Sequence, residues 1–229
     1  MIGIIGAMQV EVEGLCSLIS NKQTKEICGR IFYTGLINNK EVVIVESGVG
    51  KVNAAITTTL LATNFNVDLI INTGVAGGIG DIKQLDLVIG DKLVYHDFDL
   101  TPIGYEKGVI PQLGKTFDTS EYYRNMAIEI AKKKDISYHV GNIASGDIFA
   151  TDPKIVNDLN MDIMAIEMEG AAIAHVAKIC DKPFIALRVI SDILGSENQG
   201  KSFMEVEKKA AEYAILFVFE IIKKIVLTK

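Results

Sequence analysis

The chain has 229 residues, 49% apolar and 23% charged, without a low-complexity tract; this excludes intrinsic disorder and supplies enough apolar side chains for a large core. A net charge of −6 argues against a nucleic-acid or anionic-membrane surface, so neither partner is expected. Cys16, Cys28 and Cys180 form no CxxC pair and read as reduced packing thiols of a cytoplasmic protein, while His96, His139 and His175 lack ligand spacing, so no metal site is expected.

Met1 to Ile5 runs straight into strand-like sequence, with no basic leader or cleavage site. Apolar, β-branched runs then predict strands at Ile2–Ile5, Glu41–Glu46, Leu69–Asn72, Asp86–Val94, Tyr138–Ala144 and Phe184–Ile190. Ile31–Ile37 forms a further candidate, joined to Glu41–Glu46 by an Asn38-Asn39 turn. In Ile2–Ile5, Leu69–Asn72 and Phe184–Ile190 the apolar positions are consecutive, as expected where both faces of a sheet are covered. Helical patterns fill the intervals at Val10–Ser20, Lys51–Asn64, Ser120–Lys133, Met168–Cys180 and Phe203–Val226. In the last of these, Val206, Ala210, Tyr213, Ala214, Phe217 and Ile221 make one stripe, with Ser202 as N-cap and Glu205 completing a capping box. Its apolar stretch Tyr213–Phe219 is too short to span a bilayer. The order of elements predicts one α/β domain over residues 1–229, a three-layer αβα arrangement about a mixed, mostly parallel twisted sheet. The loop from Tyr95 to Thr119 is long and carries Phe98, Ile103, Tyr105, Val109, Ile110 and Pro111, which suits packing against a second subunit.

Open α/β sheets bind ligands at the carboxyl ends of their strands, and the informative residues lie there. Gly6-Ala7-Met8 follows the first strand, and Met8, Glu11, Val12, Leu15 and Ile19 share one helical stripe. Glu11 is thereby a carboxylate on an apolar face and a candidate general base, whereas Glu13 points away. Ser47-Gly48-Val49-Gly50-Lys51 and Asn72-Thr73-Gly74-Val75-Ala76-Gly77-Gly78 suit either tight turns or phosphate binding, but match neither GxGxxG nor GxxxxGK[ST]. Phe149, after Ser145-Gly146-Asp147, is either core or a surface for stacking a planar base. Glu167-Met168-Glu169 sits at a strand-to-helix junction, either as exposed acids or as crowded carboxylates suited to a vicinal diol. Arg188 within an apolar strand needs a carboxylate, and Asp192, four residues on, is either its structural partner or an acid at the ligand edge.

The segments IGIIGAMQVEV, YTG, ESGVGKVNAA, INTGVAGG, YHDFDLT, SGDIFA, AIEMEGAAIAHVA and RVISD, in this order, resemble the nucleoside phosphorylase/hydrolase superfamily. Within it, the chain is similar to the 5′-methylthioadenosine/S-adenosylhomocysteine nucleosidase family. The resemblance implies a cofactor-free N-glycosyl hydrolase acting on a 5′-substituted adenosine, with 5′-deoxyadenosine a further substrate, and implies methionine salvage as its setting. It gives Asp192 the role of acid to adenine N7, which requires that Asp192 hold a proton near neutral pH, and gives Glu11 the role of base for water. It places Met168 and Glu169 beside the ribosyl hydroxyls with Arg188 supporting the carboxylate, Phe149 over adenine, Ala150 at the base edge and Phe203 near the 5′ group. Met8, Val75, Ala76, Gly77, Glu167 and Ser191 complete the expected substrate-binding set. It also implies a homodimer in which the 95–119 loop, through Leu100, Ile103 and Pro111, closes the neighbouring 5′ pocket. Val75 stands where the family often has serine, and Ala150 replaces a bulkier aliphatic. Three other readings remain: phosphorolysis, disfavoured because the turns at Gly6, Gly48 and Gly74 carry no arginine; hydrolysis of futalosine or aminofutalosine; and a non-catalytic nucleoside sensor.

Overall fold

A computed structural model describes residues 1–225. In chain order the elements are β1 (Ile2–Gly6), α1 (Gln9–Ser17), β2 (Ser20–Ile27), β3 (Arg30–Ile37), β4 (Lys40–Glu46), α2 (Lys51–Asn64), β5 (Leu69–Gly78), β6 (Leu87–Tyr95), β7 (Phe117–Asp118), α3 (Glu121–Lys133), β8 (Tyr138–Ser145), β9 (Ile163–Glu167), α4 (Gly170–Ile179), β10 (Phe184–Ile193) and α5 (Gln199–Lys224). Two short 3₁₀ segments, Thr101–Ile103 and Pro153–Leu159, lie in the connections.

The ten strands form one mixed sheet. β1 lies between β4 and β5 in parallel register, and β10 runs parallel to β5 on the far side. β6, β8 and β9 are parallel to one another, while β10–β6 and β5–β9 are antiparallel and close this half of the sheet on itself. Both faces are covered. Ile2, Ile4, Ile44, Ile71 and Leu187 pack with Val12, Leu15, Met126, Ala214 and Val218 of α1, α3 and α5. Ile5, Val43, Val45, Ile70 and Ala186 pack with Ala54, Leu61, Ala171 and Ala174 of α2 and α4. The consecutive apolar runs of the inner strands follow from this double burial, and the result is the three-layer arrangement.

Several boundaries differ from expectation. α1 stops at Ser17, and the next residues form β2, a polar strand exposed along almost all of its length. The long last helix begins at Gln199, not Phe203; its cap is Asn198, held at φ 61, and Ser202 lies inside the first turn. Ser202 is therefore no cap: its backbone N–H donates to Asn198 O, and its hydroxyl accepts from Gln84. Val226, the expected end of that helix, lies outside the described residues. Among the three free cysteines, Cys16 is buried as expected but Cys28 is exposed at the β2–β3 turn, where no packing role exists. Among the described residues, no helix is long and apolar enough to cross a membrane.

Candidate active site

The carboxyl ends of β1, β5, β8, β9 and β10, with the N-terminal turns of α1, α4 and α5, surround a cavity of about 300 Å³. Its wall holds Met8, Glu11, Val75, Ala76, Gly77, Phe149, Ala150, Glu167, Met168, Glu169, Ser191, Asp192 and Phe203. Every candidate site residue except Arg188 therefore meets in one place. A cavity of this size with a few convergent polar groups is the usual form of a small-molecule site.

Glu11, on the first turn of α1, is only 3% exposed. Its Oε2 accepts from Ala7 N–H at 2.6 Å and Met8 N–H at 3.0 Å, and its Oε1 from Val75 N–H at 3.0 Å. Such an approach between β1 and β5 needs glycine at position 74, because a Cβ there would collide with Oε1. Burial pushes the Glu11 carboxyl up, against the opposing pull of Arg188 and the three N–H groups. A carboxylate offers about four lone-pair sites, so one stays free for a water molecule.

Asp192 faces Glu11 from β10 and is 2% exposed. The Ser191 hydroxyl donates to its Oδ1 at 2.7 Å, and Gln199 Nε2 donates to its Oδ2 at 2.7 Å. Ser191 Oγ also lies 3.2 Å from Ala76 O. One hydroxyl hydrogen cannot serve both acceptors, and the shorter contact, to Asp192 Oδ1, takes it.

Glu169 opens α4 and accepts from Gly50 N–H at 2.7 Å through Oε1. Gly50 has φ 96, a conformation that favours glycine. Burial first, and then the charge of Glu167, push the Glu169 carboxyl up. Beside it, Glu167 is saturated. Its Oε2 accepts from Glu169 N–H at 3.1 Å, Gly170 N–H at 2.7 Å and Arg188 Nη2 at 2.6 Å, and its Oε1 takes the Ser145 hydroxyl. Arg188 also bonds Asn72 Oδ1 at 2.5 Å.

Two expectations need correction here. Arg188 neither pairs with Asp192 nor hydrogen-bonds Glu169; it ion-pairs with Glu167. The reason is a register shift in β10 between Ile190 and Asp192, which breaks the alternation that put residues 188 and 192 on one side. Glu167, expected to bind substrate, has its carboxylate engaged on all sides and instead holds Glu169 and Arg188 in place. The sequence reading also left out Ala7, Val49, Ile148, Ile166, Leu194 and Gln199, which complete the wall. Gln199 is the consequential omission: a lone amide ahead of the expected helix start at Phe203 carries no periodicity or motif. The turn at Gly48, free of arginine in sequence, is approached by Arg30 from β3, but that guanidinium bonds Asn53 Oδ1 and does not line the cavity. Among the described residues, no group of three or more His, Cys, Asp or Glu is placed to hold a metal ion.

Residues 1–223 match the phosphorylase superfamily model. A 5′-methylthioadenosine/S-adenosylhomocysteine nucleosidase of Actinobacillus succinogenes is 41% identical over 215 residues, spanning 92% of this chain and 93% of that protein. The chain belongs to the 5′-methylthioadenosine/S-adenosylhomocysteine nucleosidase family. The fold of a nucleosidase from Neisseria meningitidis, solved with methylthio-immucillin-A, superposes with a TM-score of 0.93 at 35% identity, covering 98% of this chain and 99% of the other. A futalosine hydrolase mutant of Helicobacter pylori superposes with a TM-score of 0.92 at 32% identity, covering 98% of this chain and 99% of the other. Within the nucleosidase family, Val75 meets Glu11 through its backbone N–H, so replacing a serine there leaves this hold on the carboxylate intact.

Proposed function

We propose that this chain hydrolyses the N-glycosidic bond of 5′-methylthioadenosine and S-adenosylhomocysteine, and also that of 5′-deoxyadenosine, releasing adenine and the 5′-substituted ribose. One observation carries the reading: two buried carboxyl groups, Glu11 and Asp192, face one cavity from different strand ends, and the diol-binding candidate Glu169 lies between α2 and α4 on the same wall. Asp192 donates its proton to adenine N7 as the C1′–N9 bond breaks, so the electron pair leaves on a neutral base. Glu11 takes a proton from the attacking water as its oxygen bonds to C1′. Glu169 accepts from the ribosyl hydroxyls, held by Gly50 N–H and backed by the Glu167–Arg188 pair. Phe149, half exposed and edge-on to Phe203 at 5.6 Å between ring centroids, covers the base, and Phe203 borders the 5′ group. Met8 and Met168 pack beside the sugar, and Ala76, Gly77 and Ala150 offer backbone groups to the base.

The relatives described above support the substrate class, since one is named for these two nucleosides and another was solved with a methylthio analogue. Phosphorolysis fits less well: among the described residues no arginine or lysine lines the cavity, and Glu11 would repel the anion. The working unit is one domain over residues 1–229, cytoplasmic and homodimeric, with the 95–119 loop of one protomer closing the other's 5′ pocket. Support for this closure comes from the apolar mouth, where Val49, Ile148 and Phe149 are about half exposed, and from Ile103, 70% exposed on the loop.

The test is turnover by purified Asp192→Asn and Glu11→Gln proteins, with adenine release measured by chromatography. Each is expected to lose a factor of about 10² to 10⁴. Near-normal release by either variant would remove that residue from the mechanism. The acid limb of kcat/KM in the parent protein is expected above the ordinary carboxylate range, because burial raises Glu11 and a base must be ionised to act.

A further inference from the structure

Gln199 begins α5, is buried, and has its side-chain amide fully used. Nε2 donates to Asp192 Oδ2 at 2.7 Å and to Ala150 O at 2.9 Å, and Oε1 accepts from Gly195 N–H at 3.2 Å. The opposite orientation of the amide would set oxygen against two acceptors and nitrogen against a donor, so the three contacts assign it. Ala150 O and the Asp192 carboxyl belong to separate parts of the chain, one following β8 and the other on β10, and among the described residues no other side chain bonds both.

We propose that Gln199 is a positioning residue that yokes the acid to the base-reading backbone, fixing Asp192 and Ala150 at one separation so that both meet the purine edge together. The proposal rests on the role given above to Asp192 as proton donor. An N–H donor also favours the ionised form of a carboxyl. Removing the amide therefore has two effects of different kinds: the acid is less well placed, and it keeps its proton to higher pH. The other ionisable groups on the cavity wall are Glu11, Glu167 and Glu169, with Glu169 pushed up to about 8 by burial and the charge of Glu167, and Arg188 is tied to Glu167. From the first turns of α5, Lys201 and Glu205 are 75% and 64% exposed and lie in solvent.

The experiment compares pH profiles of kcat and kcat/KM for the parent protein, Gln199→Met and Gln199→Glu, with thermal melting of each and with Asp192→Asn alongside. Methionine keeps the volume and removes both donors; glutamate keeps the shape and sets a second carboxyl against Asp192. Both variants are expected to lower kcat by about 10- to 100-fold, since misplacing a reacting group by about an ångström costs that much. Both are also expected to shift the alkaline limb upward by about one pH unit, the size of one charge-assisted hydrogen bond. If one variant fails to fold, the other carries both readouts. An alkaline limb left in place in a folded variant, even with reduced activity, would overturn the proposal, because it reduces Gln199 to packing. Near-normal turnover by Asp192→Asn would instead sink the acid role itself. Loss of turnover in Asp192→Asn with an unmoved limb in Gln199→Met would sink the Gln199 proposal alone.

Discussion

Glu11 shows how a single residue is made both costly and useful. A fully buried carboxylate is destabilising unless it is bonded, and here three backbone N–H groups and the nearby Arg188 offset only part of that burial. Its proton affinity is therefore higher in the folded than in the unfolded chain, where it ionises near the ordinary 4.5. From that value upward the folded protein binds more protons than the unfolded one, so this group lowers stability as pH rises, until the folded carboxyl has also ionised. Glu11→Gln lacks the effect. The stability of the parent relative to this variant, from urea unfolding at a series of pH values, is expected to be level below about 4.5, to fall above it and then to level off. A relative stability that rises with pH would contradict the burial account. The same residue was legible in sequence, since a glutamate on an apolar stripe has few other uses, but its hold by Val75 N–H was not, because that contact joins positions 64 apart.

At the scale of elements, the inner strands and their helices were readable because double burial leaves consecutive apolar residues and amphipathic stripes. β2 was not: Ser20–Ile27 buries neither face, so no alternation marks it, and its pairing with β3 alone makes it a strand. β9, Ile163–Glu167, is short and was anticipated only as the strand side of the junction at Glu167-Met168-Glu169, without bounds of its own. The register shift in β10 could not be read from composition, and it redirected Arg188 from Asp192 to Glu167. The start of α5 was misplaced because Ser202 and Glu205 mimic a capping box, whereas the chain turns into the helix at Asn198 in a left-handed conformation. Chemical denaturation separates the two caps. Ser202→Ala is expected to cost less than about 0.5 kcal/mol, as for an ordinary surface change, while Asn198→Ala costs about 1 kcal/mol for the backbone conformation. A loss near 1 kcal/mol for Ser202→Ala, matching a lost cap, would restore Ser202 to that role.

For the whole molecule, the sheet's parallel centre and closed half bring five strand ends together, so residues from positions 7 to 203 share one cavity. This convergence explains why scattered motifs, each weak alone, described one site. Its mouth is apolar at Val49, Ile148 and Phe149, and away from it Val52, Ile56, Ile103 and Ile179 are exposed on α2, the 95–119 connection and α4. Sedimentation is expected to give a dimer, and Ile103→Asp to yield monomers with a raised KM. A monomeric, fully active parent protein would refute the proposed closure by a partner's loop.

Chromatography of purified protein incubated with 5′-methylthioadenosine, with and without phosphate, tests the central claim most directly. Adenine and free methylthioribose are expected in equal amount in both. Strict dependence on phosphate, with a sugar 1-phosphate as product, would contradict hydrolysis and remove Glu11 as the base for water.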